Sequence, residues 1–256
     1  MIDLEHYQPR ADLLNERTIF VTGASRGIGR VAALTFARYG ATVILHGRDV
    51  QKLEAVYDEI EAAGNAQATI LPLDLATASD RDYDSMVQAI QAQLGRLDGI
   101  VHNASHFTHL GPLENESLED WSRLMRVNLI APFALTRACT PLLRAAPDAS
   151  VILTAESHGL APAAFWGGYS VSKSGLFALN TVLAQEWEGN PSLRINVVVP
   201  GKVNSPLRAQ THPGETQTSR PTPESLMPLY LYLMGPDSRG VSGKVFDGLT
   251  RPPSAP

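Results

Sequence analysis

The sequence lacks the features of several protein classes. With one cysteine, Cys139, the chain cannot form an intramolecular disulfide. The residues around Cys139 in the sequence are apolar, which favours a buried side chain over a reactive thiol. No apolar run approaches the ~20 residues of a membrane span. The first residues also lack the apolar core of a signal peptide. We therefore expect a cytoplasmic protein.

Long runs of one charge are also missing. The 21 Lys and Arg residues and 26 Asp and Glu residues are scattered, with a net charge of −5. Nucleic acid and membrane surfaces are therefore not expected partners. With 256 residues, 44% of them hydrophobic, the chain has the size and composition to bury a large core. We expect an ordinary globular protein.

Short β-branched or apolar runs alternate with longer segments of helical periodicity. Such alternation predicts an α/β fold in which parallel strands are covered by helices on both faces. We predict one Rossmann-type domain over residues 1–256, with a doubly wound parallel sheet of about seven strands. The strands read from these runs are Thr18–Val21, Thr42–Leu45, Ala68–Leu71, Gly99–His102, Ser150–Leu153 and Arg194–Val199.

The C-terminal part is less regular. Residues 204–223 are rich in Thr, Pro and Gln, and this composition predicts a mobile substrate loop. A short helix at Glu224–Met234 and a strand near Lys244–Phe246 would complete the sheet. Residues 248–256 are expected to form a frayed tail.

A glycine-rich turn follows the first strand. It reads Thr22-Gly23-Ala24-Ser25-Arg26-Gly27-Ile28-Gly29, and a helical pattern begins at once. Gly23 permits a tight turn, while Gly27 and Gly29 let the backbone approach a pyrophosphate at the helix N-terminus. The alternative is a turn that needs glycine for its backbone geometry alone. The strand before and the helix after favour a dinucleotide site.

The end of the second strand indicates which dinucleotide is bound. It reads His46-Gly47-Arg48-Asp49, with no acid at the strand end to bind the ribose hydroxyls of NAD. Arg26 and Arg48 are instead expected to bind the 2′-phosphate of NADP. A shift of one residue would bring Asp49 to the ribose, so NAD stays an alternative.

Tyr169 and Lys173 lie four residues apart in a segment of helical periodicity. This spacing places both on one helix face. A nearby ammonium favours the phenolate, so we expect a lowered pKa for Tyr169 and proton transfer near neutral pH.

The motifs of this chain, and their order along it, resemble those of the short-chain dehydrogenase/reductase family over nearly the whole sequence. Residues 6–9 and 227–235 are further similar to its bacterial YciK-like branch. The matched motifs are Thr22–Gly29, Asp74-Leu75, Asn103-Ala104-Ser105, Asn128, Tyr169 with Lys173, and Pro200-Gly201.

The resemblance implies an NADP(H)-dependent oxidoreductase. Hydride would pass between the nicotinamide and a carbonyl or secondary alcohol, with Tyr169 as acid or base. Lys173 would assist and bind the nicotinamide ribose, and Asn128 would hold a water. A homodimer or homotetramer would form through the helices near residues 118–143 and 163–187. The other implied cofactor contacts are Thr22, Gly23, Ser25, Arg26, Gly27, Ile28, Gly29, Arg48, Asp74, Leu75, Asn103, Ala104, Pro200, Gly201, Val203 and Ser205.

Two positions depart from the family pattern. Ser105 replaces a glycine, and Glu156 stands thirteen residues before Tyr169, where the family has its catalytic serine. Ser157 could supply the hydroxyl, or a protonated Glu156 could donate to the carbonyl, whereas an ionised Glu156 would raise the pKa of Tyr169. The third alternative is a protein that binds NADP with weakened or lost catalysis.

Two other groups of residues resemble motifs of different functions. His102, His106 and His109 follow a strand rather than a helix, so they predict polar lining of a pocket and not a metal site. Residues 23–27 also fit Gly-x-Ser-x-Gly, with Ser25 as the nucleophile of an esterase. No earlier strand could supply an oxyanion loop, and Tyr169 with Lys173 would stay unexplained, so this alternative ranks lower.

Overall fold

The computed structural model describes residues 6–64, 67–216 and 220–248. Within these ranges the strands form one sheet in the order β3-β2-β1-β4-β5-β6-β7, and every neighbouring pair is parallel. The predicted doubly wound, seven-stranded sheet is confirmed. The strands are β1 (Thr18–Thr22), β2 (Thr42–His46), β3 (Ala68–Ile70), β4 (Gly99–His102), β5 (Ala149–Thr154), β6 (Leu193–Val199) and β7 (Val245–Asp247).

Helices cover both faces of the sheet. A π-helical turn at Arg126–Ile130 joins two of them without a break. Within the described ranges, none combines the length and apolar character needed to cross a membrane. The helices are α1 (Gly27–Arg38), α2 (Val50–Ala62), α3 (Asp80–Leu94), α4 (Leu118–Met125), α5 (Ala131–Ala145), α6 (Ser157–Leu160), α7 (Gly167–Glu186), α8 (Pro206–Thr211) and α9 (Met227–Met234).

The central strands are apolar along their length because both of their faces are covered. In β1, Ile19 and Val21 pack in one core layer and Phe20 in the other, as strand alternation requires. The strand order reverses between β1 and β4. In an open parallel sheet this reversal leaves a crevice at the carboxyl ends of the strands, where ligands bind.

Buried charges join three strands at the opposite edge of the sheet. Asp148, just before β5, accepts hydrogen bonds from Arg17 before β1 (2.7 Å) and from Arg194 in β6. Burial alone would raise the pKa of the Asp148 carboxyl. The hydrogen bonds and charges of the two arginines outweigh burial and lower the pKa below its ordinary value.

The segment 204–223 contains a short helix that its composition does not predict. Residues 206–211 form α8 and not a loop, whereas the mobility of the segment and its role toward a substrate stay predictions. Glu215 accepts two hydrogen bonds from Arg208 (2.6 and 2.9 Å) and pairs with Arg220 (3.0 Å), so these two arginines are buried with a counter-ion. Residues 217–219 and the predicted tail beyond residue 248 lie outside the described ranges.

We predict that Asp148→Asn lowers the free energy of unfolding by about 3 kcal/mol, because two buried guanidinium groups lose their counter-ion. Urea unfolding measures this change. The pKa of Asp148 is lower in the folded than in the unfolded protein. The stabilisation by ionised Asp148 is therefore fully present above the unfolded pKa of about 4, and it is lost as the pH falls through the pKa of the folded state. Glu59→Gln, which breaks an exposed pair with Arg30, is the control and should change stability little. Equal effects of the two variants would contradict the prediction.

Candidate active site

The turn between β1 and α1 depends on glycine at three positions. Gly23 and Gly27 have φ values of 67° and 57°. Residues other than glycine rarely adopt these positive values. A Cβ on Gly29 would lie 2.3 Å from the carbonyl oxygen of Gly23. The backbone therefore forms an open cradle at the N-terminus of α1, and a pyrophosphate fits its size and amide donors.

Thr22 and Asn103 hold this turn against the end of β4. The Thr22 hydroxyl accepts hydrogen bonds from the backbone amides of Asn103 (2.9 Å) and Ala104 (3.0 Å). The Asn103 side-chain amide donates to the carbonyl oxygens of Thr22 (3.3 Å) and Gly23 (3.4 Å). The strand order alone brings β1 beside β4, and these bonds fix their carboxyl ends.

A cavity of about 350 Å³ lies at the carboxyl ends of the strands, within the volume range of small-molecule sites. It brings together most of the residues predicted from the sequence. Thr22, Gly29, Asn128 and Ser157 are not part of its wall. The predicted residues that line it are Gly23, Ser25, Arg26, Gly27, Ile28, Arg48, Asp74, Leu75, Asn103, Ala104, Tyr169, Lys173, Pro200, Gly201, Val203 and Ser205.

The groups at the end of β2 carry positive or no charge toward the cavity. His46 is buried, and burial lowers its pKa to about 4. Arg26 and Arg48 are exposed at the cavity wall, with Arg48 3.9 Å from Asp74. Asp49 instead caps α2 by accepting a hydrogen bond from the Lys52 amide. The geometry thus places two guanidinium groups, and not Asp49, at the cavity.

Tyr169 and Lys173 are both buried on one face of α7. The Lys173 ammonium donates to the carbonyl oxygen of Thr154 (3.0 Å), and burial lowers its pKa to about 8, against the opposing effect of Glu156. The pKa of Tyr169 is raised, first by burial and then by Glu156. The expectation of a lowered Tyr169 pKa is therefore wrong for this arrangement, because burial and Glu156 both raise the pKa and together outweigh the lowering by Ser105.

Ser105 places a hydroxyl beside the tyrosine. The Ser105 side chain lowers the pKa of Tyr169, against the larger effects of burial and Glu156. Its hydroxyl donates a hydrogen bond to Oδ1 of Asn128 (3.4 Å). The sequence marked Ser105 as a departure from glycine, but its contact with Tyr169 depends on the meeting of β4 with α7. Ser105 and Tyr169 are far apart in the chain, so their spacing does not predict this contact.

Asn128 lies in the π turn between α4 and α5. Pro132 has no N–H to donate to the carbonyl four residues earlier, which accounts for the local widening of the helix. The Asn128 side chain bonds to both backbone groups of His106 (2.7 and 2.9 Å) and to Ser172 (3.0 Å). Its side-chain amide is thereby engaged with protein groups and orients the loop that carries Ser105.

The structure separates Glu156 from Ser157. Glu156 lines the cavity, whereas Ser157 is exposed and donates its hydroxyl hydrogen to Glu156 Oε1 (2.7 Å). The Ser157 hydroxyl is therefore not brought to Tyr169, because the first turn of α6 directs it to the carboxylate. The sequence-based expectation of Ser157 as the catalytic hydroxyl receives no support from this geometry.

The three histidines after β4 occupy different environments. His102 is buried and bonds to Thr136 (2.8 Å), His106 lines the cavity and His109 is exposed. The prediction of pocket lining is thus wrong for His102 and His109. Among the described residues, no group of His, Cys, Asp or Glu side chains is arranged to hold a metal ion. Cavity residues that the sequence did not indicate include Phe107, Arg123, Val127, Thr154 and Ala155, whereas Arg208 belongs to the predicted substrate loop.

Comparisons with known proteins identify the family. The model of the short chain dehydrogenase family matches residues 17–216, and the chain belongs to this family. The oxidoreductase YciK of Escherichia coli K12, described as uncharacterized, is 43% identical over 242 residues, covering 94% of this chain and 95% of YciK. The resemblance to the YciK-like branch is confirmed.

Two solved structures extend the comparison. A short chain dehydrogenase from Salmonella enterica serovar Typhi CT18 has a TM-score of 0.93 and 43% identity, and the match covers 95% of this chain and 100% of that one. A protein from Escherichia coli CFT073, crystallised in complex with NADPH, has a TM-score of 0.90 and 42% identity, with 94% and 100% covered.

We predict that Ser105→Ala raises the pKa of Tyr169 further, because the phenolate loses a hydrogen-bond donor. The pH-dependent ultraviolet difference absorbance between each protein and its Tyr169→Phe derivative measures this ionisation. Ser105→Thr keeps a hydroxyl and serves as the control, with a pKa near that of the original chain. An unchanged tyrosine ionisation in Ser105→Ala would refute the contact.

Proposed function

We propose that the protein transfers hydride between NADP(H) and a carbonyl or secondary alcohol. The observation that supports this proposal is the meeting of Tyr169 and Lys173 with the glycine turn in one cavity. Membership of the short chain dehydrogenase family supports the reaction class. Tyr169 gives a proton to the carbonyl oxygen in reduction and takes one from the alcohol in oxidation.

The cofactor proposal depends on the charges at the end of β2. Arg26 and Arg48 would bind the 2′-phosphate of NADP, since guanidinium groups suit bidentate phosphate contacts. Glycine-turn amides would hold the pyrophosphate, and residues 200–205 would contact the carboxamide. Reduced nicotinamide, when bound, supplies the hydride. The relative crystallised with NADPH supports this choice.

Within the chain, three side chains support proton transfer at the Tyr169 hydroxyl. Lys173, whose pKa lies at about 8, supplies a cation on the same helix and would bind the nicotinamide ribose. Ser105 donates to the phenolate that forms. Asn128 keeps the Ser105 loop in place, and a water held by this residue would bind its backbone carbonyl because its side-chain amide is engaged.

Glu156 carries the second candidate function. Its charge raises the pKa of Tyr169, so a protein that binds NADP but has weak carbonyl activity is the alternative. An esterase is not proposed, because no hydrogen bond joins Ser25 to a histidine in the part of the chain that the structure describes.

The outer surface of the two long helices supports self-association. Ile130, Phe133, Val171 and Val182, on the π turn, α5 and α7, are 46–49% exposed despite their apolar side chains. We propose a homo-oligomer that covers these residues, and light scattering of the purified chain tests its mass.

We predict that the protein binds NADPH more tightly than NADH, and that Arg48→Ala reduces NADPH affinity by about ten- to a hundredfold through loss of a charged hydrogen bond. Nicotinamide fluorescence during titration measures both affinities. NADH affinity is the internal control and should change little. Equal loss for both cofactors would contradict a contact to the 2′-phosphate.

We predict that Tyr169→Phe lowers turnover by at least about a hundredfold and leaves NADPH affinity nearly unchanged, because only the proton donor is removed. NADPH oxidation with a panel of aldehydes and ketones measures turnover. Undiminished turnover in this variant would reject the mechanism. NADPH binding with no turnover in either protein would favour the alternative function.

A further inference from the structure

Glu156 lines the cavity, and only one of its two carboxylate oxygens has a hydrogen-bond partner among the described residues. Its Oε1 accepts hydrogen bonds from the Ser157 hydroxyl (2.7 Å) and from Nδ1 of His158 (3.3 Å). Within the described part of the chain, no hydrogen bond reaches Oε2. The side chain is 19% exposed, and the residue lines the same cavity as Tyr169 and Lys173. One acceptor is thus left for a ligand.

The groups around Glu156 leave its charge partly uncompensated. Lys173 and Tyr169 face it from α7, His158 from its own helix and His212 from the end of α8. The Lys173 ammonium donates to the Thr154 carbonyl and not to Glu156. Burial lowers the pKa of His212, which favours its neutral form. The negative charge of the Glu156 carboxylate therefore influences the binding of a ligand in the cavity.

This charge has opposite effects on two kinds of hydride acceptor. Reduction of a carbonyl builds negative charge on oxygen, which a neighbouring carboxylate opposes. A protonated C=N group is positive before hydride transfer and neutral afterwards. A carboxylate binds that cation and accepts a hydrogen bond from its N–H, a charge-assisted contact.

Two aromatic rings of the cavity wall suit the same ligand. Phe107 and Tyr169 both line the cavity and meet edge to face, with centroids 5.3 Å apart. Aromatic faces attract a cation in addition to burying apolar surface. A cyclic, partly apolar cation therefore suits the part of the wall that Phe107, Tyr169 and Glu156 form.

We propose that the site reduces iminium substrates, with Glu156 Oε2 accepting the substrate N–H. The proposal rests on the hydride transfer described above and names a further substrate class for it. The iminium carbon gains a hydride from reduced nicotinamide, and the C=N π pair becomes the nitrogen lone pair. The products are a neutral amine and NADP⁺. The positive charge of the iminium group is thus transferred to the nicotinamide ring, and charge is balanced across the reaction.

Binding of matched ring compounds to the protein with NADP⁺ tests the role of Glu156. Tetrahydroisoquinoline is a cation at neutral pH, and isochroman has a neutral oxygen in place of the ammonium. The original chain should bind the amine at least about tenfold more tightly, as expected for one charged hydrogen bond. Quenching of tryptophan fluorescence reports this binding, since Trp166 lies 6.0 Å from the Tyr169 ring.

Glu156→Gln should abolish the preference for the amine and keep NADPH affinity. Ser157→Ala, which leaves the carboxylate in place, is the matched control and should keep the preference. Equal affinities in the original chain, or a preference retained in Glu156→Gln, would overturn the proposal. These outcomes are independent of turnover, whereas failure of NADPH binding would count against the proposed function itself.

Turnover gives the second arm of the test. The original chain should oxidise NADPH with dihydroisoquinoline faster than with tetralone, its ketone counterpart. Glu156→Ser should reverse this order, because it replaces the charge with a hydroxyl donor. Faster reduction of tetralone by the original chain would overturn the proposal.

Discussion

The junction of β1 with β4 is the contact on which the candidate site depends. The Thr22 hydroxyl accepts two backbone amides from the residues that follow β4, and the Asn103 side chain reaches back to the glycine turn. Asn103, Ala104 and Ser105 are consecutive, so one set of bonds fixes both the phosphate cradle and the hydroxyl beside Tyr169. Loosening this junction would separate the glycine turn from Ser105 and Tyr169.

Stability and chemistry lie at opposite edges of the sheet. The buried Asp148 cluster joins the amino ends of β1, β5 and β6, whereas the cavity lies at their carboxyl ends. Parallel strands make this division possible because all their carboxyl ends meet at one edge. The polar groups of the cavity therefore can stay exposed or unpaired, because the stability of the sheet depends on contacts elsewhere.

The features predictable from sequence are those carried by local patterns. Apolar runs predict the strands, and glycine followed by a helix predicts the cradle, because both effects act within a few residues. Contacts between distant segments are not readable in this way. The pairing of Glu215 with Arg208 and the effect of Ser105 on the pKa of Tyr169 are examples. The pKa of Tyr169 was mispredicted for the same reason, since helix spacing shows the lysine but not the burial.

Ser105 and Glu156 are best understood together. A glutamate in place of a serine removes a hydroxyl donor from the end of β5 and adds a negative charge, and both changes oppose ionisation of Tyr169. Ser105 supplies a hydroxyl from the end of β4, where a glycine would supply none, and it lowers the pKa of Tyr169. Relative to the family pattern, the cavity wall at residue 156 changes from a hydrogen-bond donor to an acceptor. Iminium reduction needs a hydride but no proton from Tyr169, so a carboxylate that raises the Tyr169 pKa is compatible with the proposed change of substrate.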